Sequence, residues 1–521
     1  MSDIRVSRRR LPRALLLASV LAVLGLLAAS GLGLLNAYRA PAASGVETSS
    51  SGAPIPVANI SVGSDAAAQP IATGFWGADV LATAPYNVTD ALRLSETPLT
   101  TLRYPGGSLG ERYNYSSNLI YFSSGRSVAA NTSIADFISI CDAIHCRAIL
   151  QLPSEINNTT TVSYLVRYIV DTLGFQPAYW EIGDSPSGWT HLGIPWTQWN
   201  NSQATNITPL PFAYLVHSYV DAVSAVDPGA QFLALGTGLF PPQFAKAWVT
   251  DLAEIDGPLL SGITLHNYAD NASAPSPTLR SFFDGLYGNT SLRQQVTHVR
   301  ADILAACPTC TNLPVFVDEA NAAQIAPYEP YLSTFNGSLF LAADAIEGLK
   351  LHLVNLDWFC FDCNYSGAFE TSPATVQSQF YLFADILDHL ENTTLPTNVT
   401  GARHVYAIAT ANASGTALLV VNTNVSGSVK LNLSAAGFCT GTRITESYWS
   451  RLTPQPVERS IAPVAEPILR HLSLGLFVQP ACTAHPLDPS TIGASVFASG
   501  SGASVAAARA PIAALPGSRS G

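Results

Sequence analysis

The chain reads as an α/β protein, a (β/α)8 TIM barrel followed by a small all-β sandwich, and three observations predict it. Between residues 72 and 395, eight short apolar segments bounded by turn residues alternate with stretches of helical spacing. Eight strands interleaved with helices over about 300 residues match such a barrel in count and length. After residue 400 the pattern changes to short alternating strands with Gly, Asn and Ser turns and little helix. A doubly wound open sheet is the alternative for the first region, but no Gly-rich phosphate loop follows its first strand.

The eight strands are expected at Gly74–Val80, Leu99–Tyr104, Arg147–Leu152, Ala178–Gly183, Gln231–Leu235, Gly262–His266, Pro314–Asp318 and Leu353–Trp358. Helical spacing marks Ser133–Ile144, Val162–Leu173, Pro211–Val226, Leu292–Ala305 and Leu339–Leu349 between them. In the sandwich, expected over 400–486, the strands are His404–Thr410, Ala417–Asn422, Ser428–Leu433 and Ile444–Trp449. Residues 40–71, rich in Ala, Ser, Gly and Pro, read as a linker with one strand near Ile55–Val62, and 487–521 as a low-complexity tail.

Only 12% of the 521 residues are charged, and the net charge is −11. With no basic cluster beyond the N-terminal arm, nucleic acid is not an expected partner. Residues 1–39 hold Arg5, Arg8, Arg9, Arg10 and Arg13, then an uncharged stretch from Ala14 to Tyr38. That stretch is long enough to span a bilayer, with the basic side cytoplasmic. It reads as an uncleaved membrane anchor or, given the small residues around Ala40, as a cleaved signal segment. Either places the body outside the cell. No later stretch has 18 consecutive apolar residues, which excludes a polytopic membrane protein.

Asparagine and hydroxyl side chains replace the missing charge. Seventeen of 25 Asn residues begin an Asn-X-Ser/Thr sequon, against about four expected by chance, as in an exported glycoprotein. Eight Cys fall as Cys141 and Cys146, Cys307 and Cys310, Cys360 and Cys363, and Cys439 and Cys482. Disulfides suit export. The two Cys-X-X-Cys pairs are 49 residues apart, too far for a usual zinc ribbon. Connectivity does not follow from spacing, local pairing being the simplest scheme.

In such a barrel, reactive groups sit at the C-terminal ends of the strands. There the second strand carries Arg103-Tyr104-Pro105-Gly106-Gly107 and the fourth Trp180-Glu181-Ile182-Gly183-Asp184-Ser185-Pro186. The sixth carries His266-Asn267-Tyr268, the seventh Val317-Asp318-Glu319-Ala320-Asn321 and the eighth Asp357-Trp358-Phe359. Trp189, Trp196 and Trp199 follow the fourth strand and offer flat rings for sugar faces or for packing a long loop.

In order and spacing over roughly residues 70–485, these segments resemble the signatures of retaining clan A glycoside hydrolases. The resemblance is to the heparanase and β-glucuronidase group and the α-L-arabinofuranosidases. It implies hydrolysis of O-glycosidic bonds by two carboxyl groups, with a carbohydrate substrate and no metal or cofactor. Glu319 matches the nucleophile. Arg103 and Tyr268 would hydrogen-bond it and keep it ionised, and Trp358 would floor the sugar site. Arg103 could equally pair with Glu181, and His266 and Tyr268 could be ordinary rim residues.

The chain departs from that pattern on the fourth strand. Family members read Gly-Asn-Glu-Pro, with Glu as acid/base. Here Ser185 takes that place after Asp184, and a hydroxyl has no useful acidity near the operating pH. Asp184 could move into the gap, another carboxyl such as Glu155 could supply the proton, or the barrel could bind glycans without hydrolysing them. A structural surface-layer component is the remaining class. Sugar, linkage and oligomeric state are not legible.

Overall fold

The computed structural model describes residues 54–481 except 65–66, 87–92, 122–126, 155–156, 185, 187–195, 198–203, 206, 238–241, 270–277, 323–328, 333, 361–377, 391, 440–441, 454 and 463–465. The expected anchor or signal segment and the tail lie outside the described residues. Among those described, no helix is long and apolar enough to cross a membrane.

Eight parallel strands close into a barrel. In chain order they are Trp76–Asp79, Thr101–Tyr104, Arg147–Leu152, Tyr179–Ile182, Phe232–Thr237, Gly262–Tyr268, Val315–Asn321 and Leu356–Trp358. Each falls on a segment expected from the sequence. Hydrogen-bonded neighbours follow chain order, and the eighth strand pairs with the first to close the ring. Alternation aims the side chains. On the second strand Leu102 and Tyr104 join the apolar layer under the helices, and the residue between them, Arg103, turns inward. On the fourth strand Trp180 and Ile182 do the same around Glu181. Ile149, Leu233 and Phe316 form a separate apolar cluster.

The seventh strand breaks this rule usefully. Leu265 pairs with Val317, but the next residue of the sixth strand, His266, pairs with Glu319, so Asp318 is skipped. Such a bulge bends the strand and re-aims side chains. Asp318 and Glu319 are consecutive, yet both reach Arg103.

Helices occupy the expected places, among them Ile134–Ile144, Thr159–Arg167, Pro209–Ser224, Leu292–Ala306 and Phe335–Lys350. The first opens on a capping box in which the Ser133 and Asp136 side chains each bond the other's backbone N–H. Helix Pro242–Asp256 was not singled out in the sequence. Helix Phe335–Lys350 is buried nearly throughout. One flank lies in the barrel core, and the Phe335 ring meets Trp449 of the β domain at 4.8 Å.

The β domain is a sandwich that draws on both sides of the barrel. Its larger sheet runs Gln69–Pro70, Thr393–Leu395, Val405–Asn412, Gly415–Asn422, Ser473–Pro480, Ile444–Ser450, Val457–Ile461. The smaller runs Thr397–Thr400, Val57–Val62, Val429–Ala435, Ile468–Leu469. Residues 57–62, inside the stretch read as a linker, are therefore a strand of the smaller sheet, parallel to Val429–Ala435. Its alternation explains why: Ala58 and Ile60 enter the inter-sheet core with Leu418, Val420 and Leu431, while Val57, Asn59 and Ser61 face solvent. The larger sheet has two apolar faces, for Leu418 and Val420 pack on the smaller sheet whereas Ala417, Leu419 and Val421 pack on the barrel side. The sandwich therefore begins before residue 400.

Cys141–Cys146 and Cys307–Cys310 are disulfides, as local pairing anticipates. Cys360 and Cys439 are also disulfide-bonded, while Cys363 and Cys482 lie outside the described residues.

Candidate active site

Arg103 organises the C-terminal mouth of the barrel. Its side chain is wholly buried, and five carboxyl groups surround it. Nη1 donates to Asp79 Oδ1 at 2.9 Å and to Glu319 Oε1 at 2.8 Å. Nε donates to Glu181 Oε2 at 2.5 Å, and Nη2 to Glu181 Oε1 at 3.2 Å and Asp184 Oδ1 at 2.9 Å. Asp318 Oδ2 stands 3.7 Å from Nε. The two roles open for Arg103 in the sequence are thus held at once. It pairs with Glu181 and with Glu319.

A Gly-Gly turn after the second strand fits the chain over this ring. Gly106 and Gly107 both have φ near +65°, a conformation that favours glycine. A Cβ on Gly106 would fall 2.8 Å from Leu81 Cδ2 and 3.3 Å from Asp79 Oδ1.

Glu319 has two further partners. Tyr268 donates from its hydroxyl to Oε2 at 2.7 Å, and His266 Nδ1 lies 3.2 Å from the same oxygen. Burial lowers the His266 pKa to about 3, so the ring is neutral at ordinary pH and adds no charge. Trp358, 1% exposed, carries an indole N–H with no hydrogen-bond partner among the described residues.

The electrostatics correct one expectation. Arg103 and Tyr268 do bond Glu319, and both favour its ionised form. Burial and the Asp184 charge outweigh them and push the Glu319 pKa well above the usual carboxylate range. Asp79, Asp318 and Asp357 are raised as well, burial being the largest cause in each. One guanidinium cannot neutralise so many buried carboxyls. Burial alone would depress Arg103 itself, but Glu181, Asp79, Asp318 and Glu319 together hold its pKa up.

Two triads, Glu181–His266–Asp318 and Asp184–His266–Glu319, bring potential metal-ligand atoms within 4.8 Å of one another. In both, the carboxylates already face the Arg103 guanidinium, whose fixed charge competes with any cation.

Arg103, Glu181, Asp184, His266, Tyr268 and Glu319 therefore converge at the mouth, as their strands predicted, whereas the Trp358 ring packs in the apolar cluster that holds Leu102 and Tyr104. Ser185, Glu155, Trp189 and Trp199 lie outside the described residues. Trp196 begins a two-residue strand paired with Ala204–Thr205. Four buried carboxyls escaped the sequence reading. Asp79 ends the first strand, Asp318 follows the inward-facing Phe316 by two positions on the seventh, Asp357 lies on the eighth, and Glu111 sits in the short 3₁₀ turn Gly110–Arg112. Glu111 is 1% exposed and accepts from Ser154 Oγ at 2.9 Å and from Gln151 Nε2 at 3.3 Å. Its one sequence signal was a lone carboxylate closely following the Gly-Gly turn.

No family model matches the chain, and no curated protein matches its sequence. Its fold does match solved structures. An α-L-arabinofuranosidase of Thermotoga maritima, in complex with arabinose, superimposes with TM-score 0.65 at 13% identity, over 82% of this chain and all of that one. CelM2, a bifunctional glucanase-xylanase from a metagenome library, gives TM-score 0.61 at 14% identity, over 82% and 99% of the two chains. A Paenibacillus polymyxa xyloglucanase of glycoside hydrolase family 44, determined with xyloglucan, gives 0.61 at 11%, over 82% and 100%. The fold is that of these glycoside hydrolases.

Proposed function

We propose that the protein is an extracellular glycoside hydrolase-like enzyme that cleaves O-glycosidic bonds of polysaccharides or glycans with retention, Glu319 acting as nucleophile. The observation that carries this reading is the setting of Glu319. It ends a barrel strand, is held by Arg103 at 2.8 Å and Tyr268 at 2.7 Å, and has Trp358 on the adjoining strand. Arg103 and Tyr268 fix both carboxylate oxygens, and fixed orientation is what an attack on an anomeric carbon requires. The neighbours' activities, on arabinose-bearing, glucan, xylan and xyloglucan substrates, support a carbohydrate ligand without selecting among them. The sequons and the basic, then apolar, N-terminus support export and membrane anchoring.

Ser185 favours a second reading, a glycan-binding homologue without turnover. One experiment separates the two. An activated 2-deoxy-2-fluoro aryl glycoside has a leaving group that needs no proton, so it labels a competent nucleophile whatever the state of the acid/base. Across arabinofuranosyl, glucosyl, xylosyl and glucuronosyl reagents, at least one should add its sugar mass to the peptide bearing Glu319, and Glu319→Gln should abolish the adduct. No adduct with any reagent, together with retained glycan binding, would establish the second reading.

A further inference from the structure

We propose that the outer face of the smaller sheet is a glycosylated surface, with Asn59, Asn398 and Asn432 as its attachment sites, and that its glycans shield a sheet edge that charge does not guard. The inference rests on the extracellular part of the reading above and not on the chemistry at Glu319.

Three sequons lie on three adjacent strands, Thr397–Thr400, Val57–Val62 and Val429–Ala435. Side chains of a strand return to the same face every two residues, which is also the spacing of Asn and hydroxyl in a sequon. Asn59 and Ser61, Asn398 and Thr400, and Asn432 and Ser434 therefore each share the outer face, where all are exposed except the half-buried Asn432. The residues between them, Ile60, Val399 and Leu433, pack into the inter-sheet core. Register then gathers the three sequons into one patch. Asn59 stands opposite both Thr400 and Asn432, and Ser61 stands opposite Asn398. Asn432 Nδ2 donates to Asn59 Oδ1 at 2.9 Å. Ser434 donates to Asn432 Oδ1 from its backbone N at 3.1 Å and from Oγ at 2.7 Å.

Two other sequons are spent in the fold. Asn131 Nδ2 donates to the Thr83 carbonyl at 2.5 Å, and its hydroxyl partner, Ser133, is the N-cap of helix Ile134–Ile144. Asn336 Nδ2 donates to Thr334 Oγ1 at 3.2 Å, its Oδ1 is buried, and Ser338 is wholly buried in helix Phe335–Lys350.

The edge explains what the glycans do. Thr397–Thr400 ends the smaller sheet on one side, and an edge strand presents unpaired N–H and C=O groups that charged side chains ordinarily guard. Lys430 is the only charged residue of the three strands, and Glu466 pairs with it. A bulky, solubilising glycan takes the place of the missing charge. In the attachment, Asn Nδ2 bonds to the anomeric carbon of a sugar carried on a polyprenyl phosphate. The bond from that carbon to the phosphate oxygen breaks, the phosphate keeps the electron pair, and Nδ2 gives up one of its two protons. The second N–H of Asn432 remains for the bond to Asn59.

The test uses the full chain from a host that glycosylates exported proteins. Peptide masses should show sugar additions at Asn59, Asn398 and Asn432 and none at Asn131 or Asn336. Removing the three sequon hydroxyls together, by Ser61→Ala, Thr400→Ala and Ser434→Ala, should abolish these additions, leave those elsewhere, and shift the protein to larger species than wild type in sedimentation. Enzymatic release of the glycans from folded wild type should give the same shift, which separates lost shielding from misfolding of the variant. Additions elsewhere with these three Asn bare, or equal occupancy of Asn131 and Asn336, would overturn the sites. Unchanged sedimentation after complete release would overturn the shielding. No addition at any sequon would overturn the extracellular reading, and this inference with it.

Discussion

Arg103 Nη1 bonds Asp79 on the first barrel strand and Glu319 on the seventh, at 2.9 and 2.8 Å. One buried cation thereby ties distant parts of the chain and orients the proposed nucleophile. Removing one partner of a buried charge network strands the others. Arg103→Ala should therefore cost at least about 3–5 kcal/mol of stability, seen as a fall in the urea midpoint. Arg103→Lys keeps the charge but cannot serve Asp79, Glu181, Asp184 and Glu319 together, so it should recover only part of the loss. Wild-type stability in either variant would show that the ring is not structural.

Glu319 must be ionised to attack, and its pKa is held up by burial and Asp184. The rate of labelling by an activated fluoroglycoside should therefore rise with pH, with an apparent pKa above the ordinary carboxyl value. The Tyr268 hydroxyl bond works in the opposite direction and lowers that pKa. Tyr268→Phe should move the profile to still higher pH and slow labelling about 10–100-fold below the plateau, the worth of a hydrogen bond to a charged group. A flat profile from pH 4 to 7 in wild type would contradict the buried-carboxyl account.

Ser185→Glu places a carboxyl where the glycosidase pattern has one. It should raise cleavage of phenyl glycosides, whose leaving group needs a proton, and change that of dinitrophenyl glycosides little. No gain on phenyl substrates, with labelling of Glu319 unchanged, would mean that position 185 is not the acid/base position of this site.

What the sequence revealed follows from how local each signal is. All eight barrel strands were legible because each is a short apolar run bounded by turns, and a polar residue at a strand end pointed to the mouth. Strict alternation puts Asp318 on the inward face with Phe316 and would turn Glu319 away, and the bulge opposite His266 brings Glu319 inward beside it, so their sharing of one site was not legible. Glu111 lay in a turn too short to have a periodicity. Val57–Val62 could be read as a strand, but not as one paired with Val429–Ala435, since pairing across the length of a barrel leaves no local trace. The ring around Arg103 was visible only in pairs, because five carboxyls from three strands meet the guanidinium of a fourth through closure.

A last prediction concerns stability and pH. Asp344, 1% exposed in helix Phe335–Lys350, has Oδ2 buried without a hydrogen-bond partner among the described residues. Burial and the nearby Glu347 hold its pKa well above the usual range. The folded protein thus binds this proton more tightly than the unfolded chain does. With more protons bound in the native state, the slope of unfolding free energy against pH is negative. The stabilisation is complete below the unfolded pKa, about 4, and is lost as pH rises towards the folded value. Asp79, Asp318, Asp357 and Glu319 have the same sign. His266, whose pKa is depressed to about 3, acts oppositely as pH falls below about 6.5, but it is one group against five. Stability should therefore fall between about pH 5 and 8 rather than peak above neutrality. Asp344→Asn removes a titrating group while keeping its shape, and should reduce that decline and raise the unfolding midpoint at pH 8 relative to wild type. Urea unfolding of both proteins at pH 5, 6.5 and 8 decides it. Parallel curves would mean that Asp344 is ionised in the fold and paired in some other way.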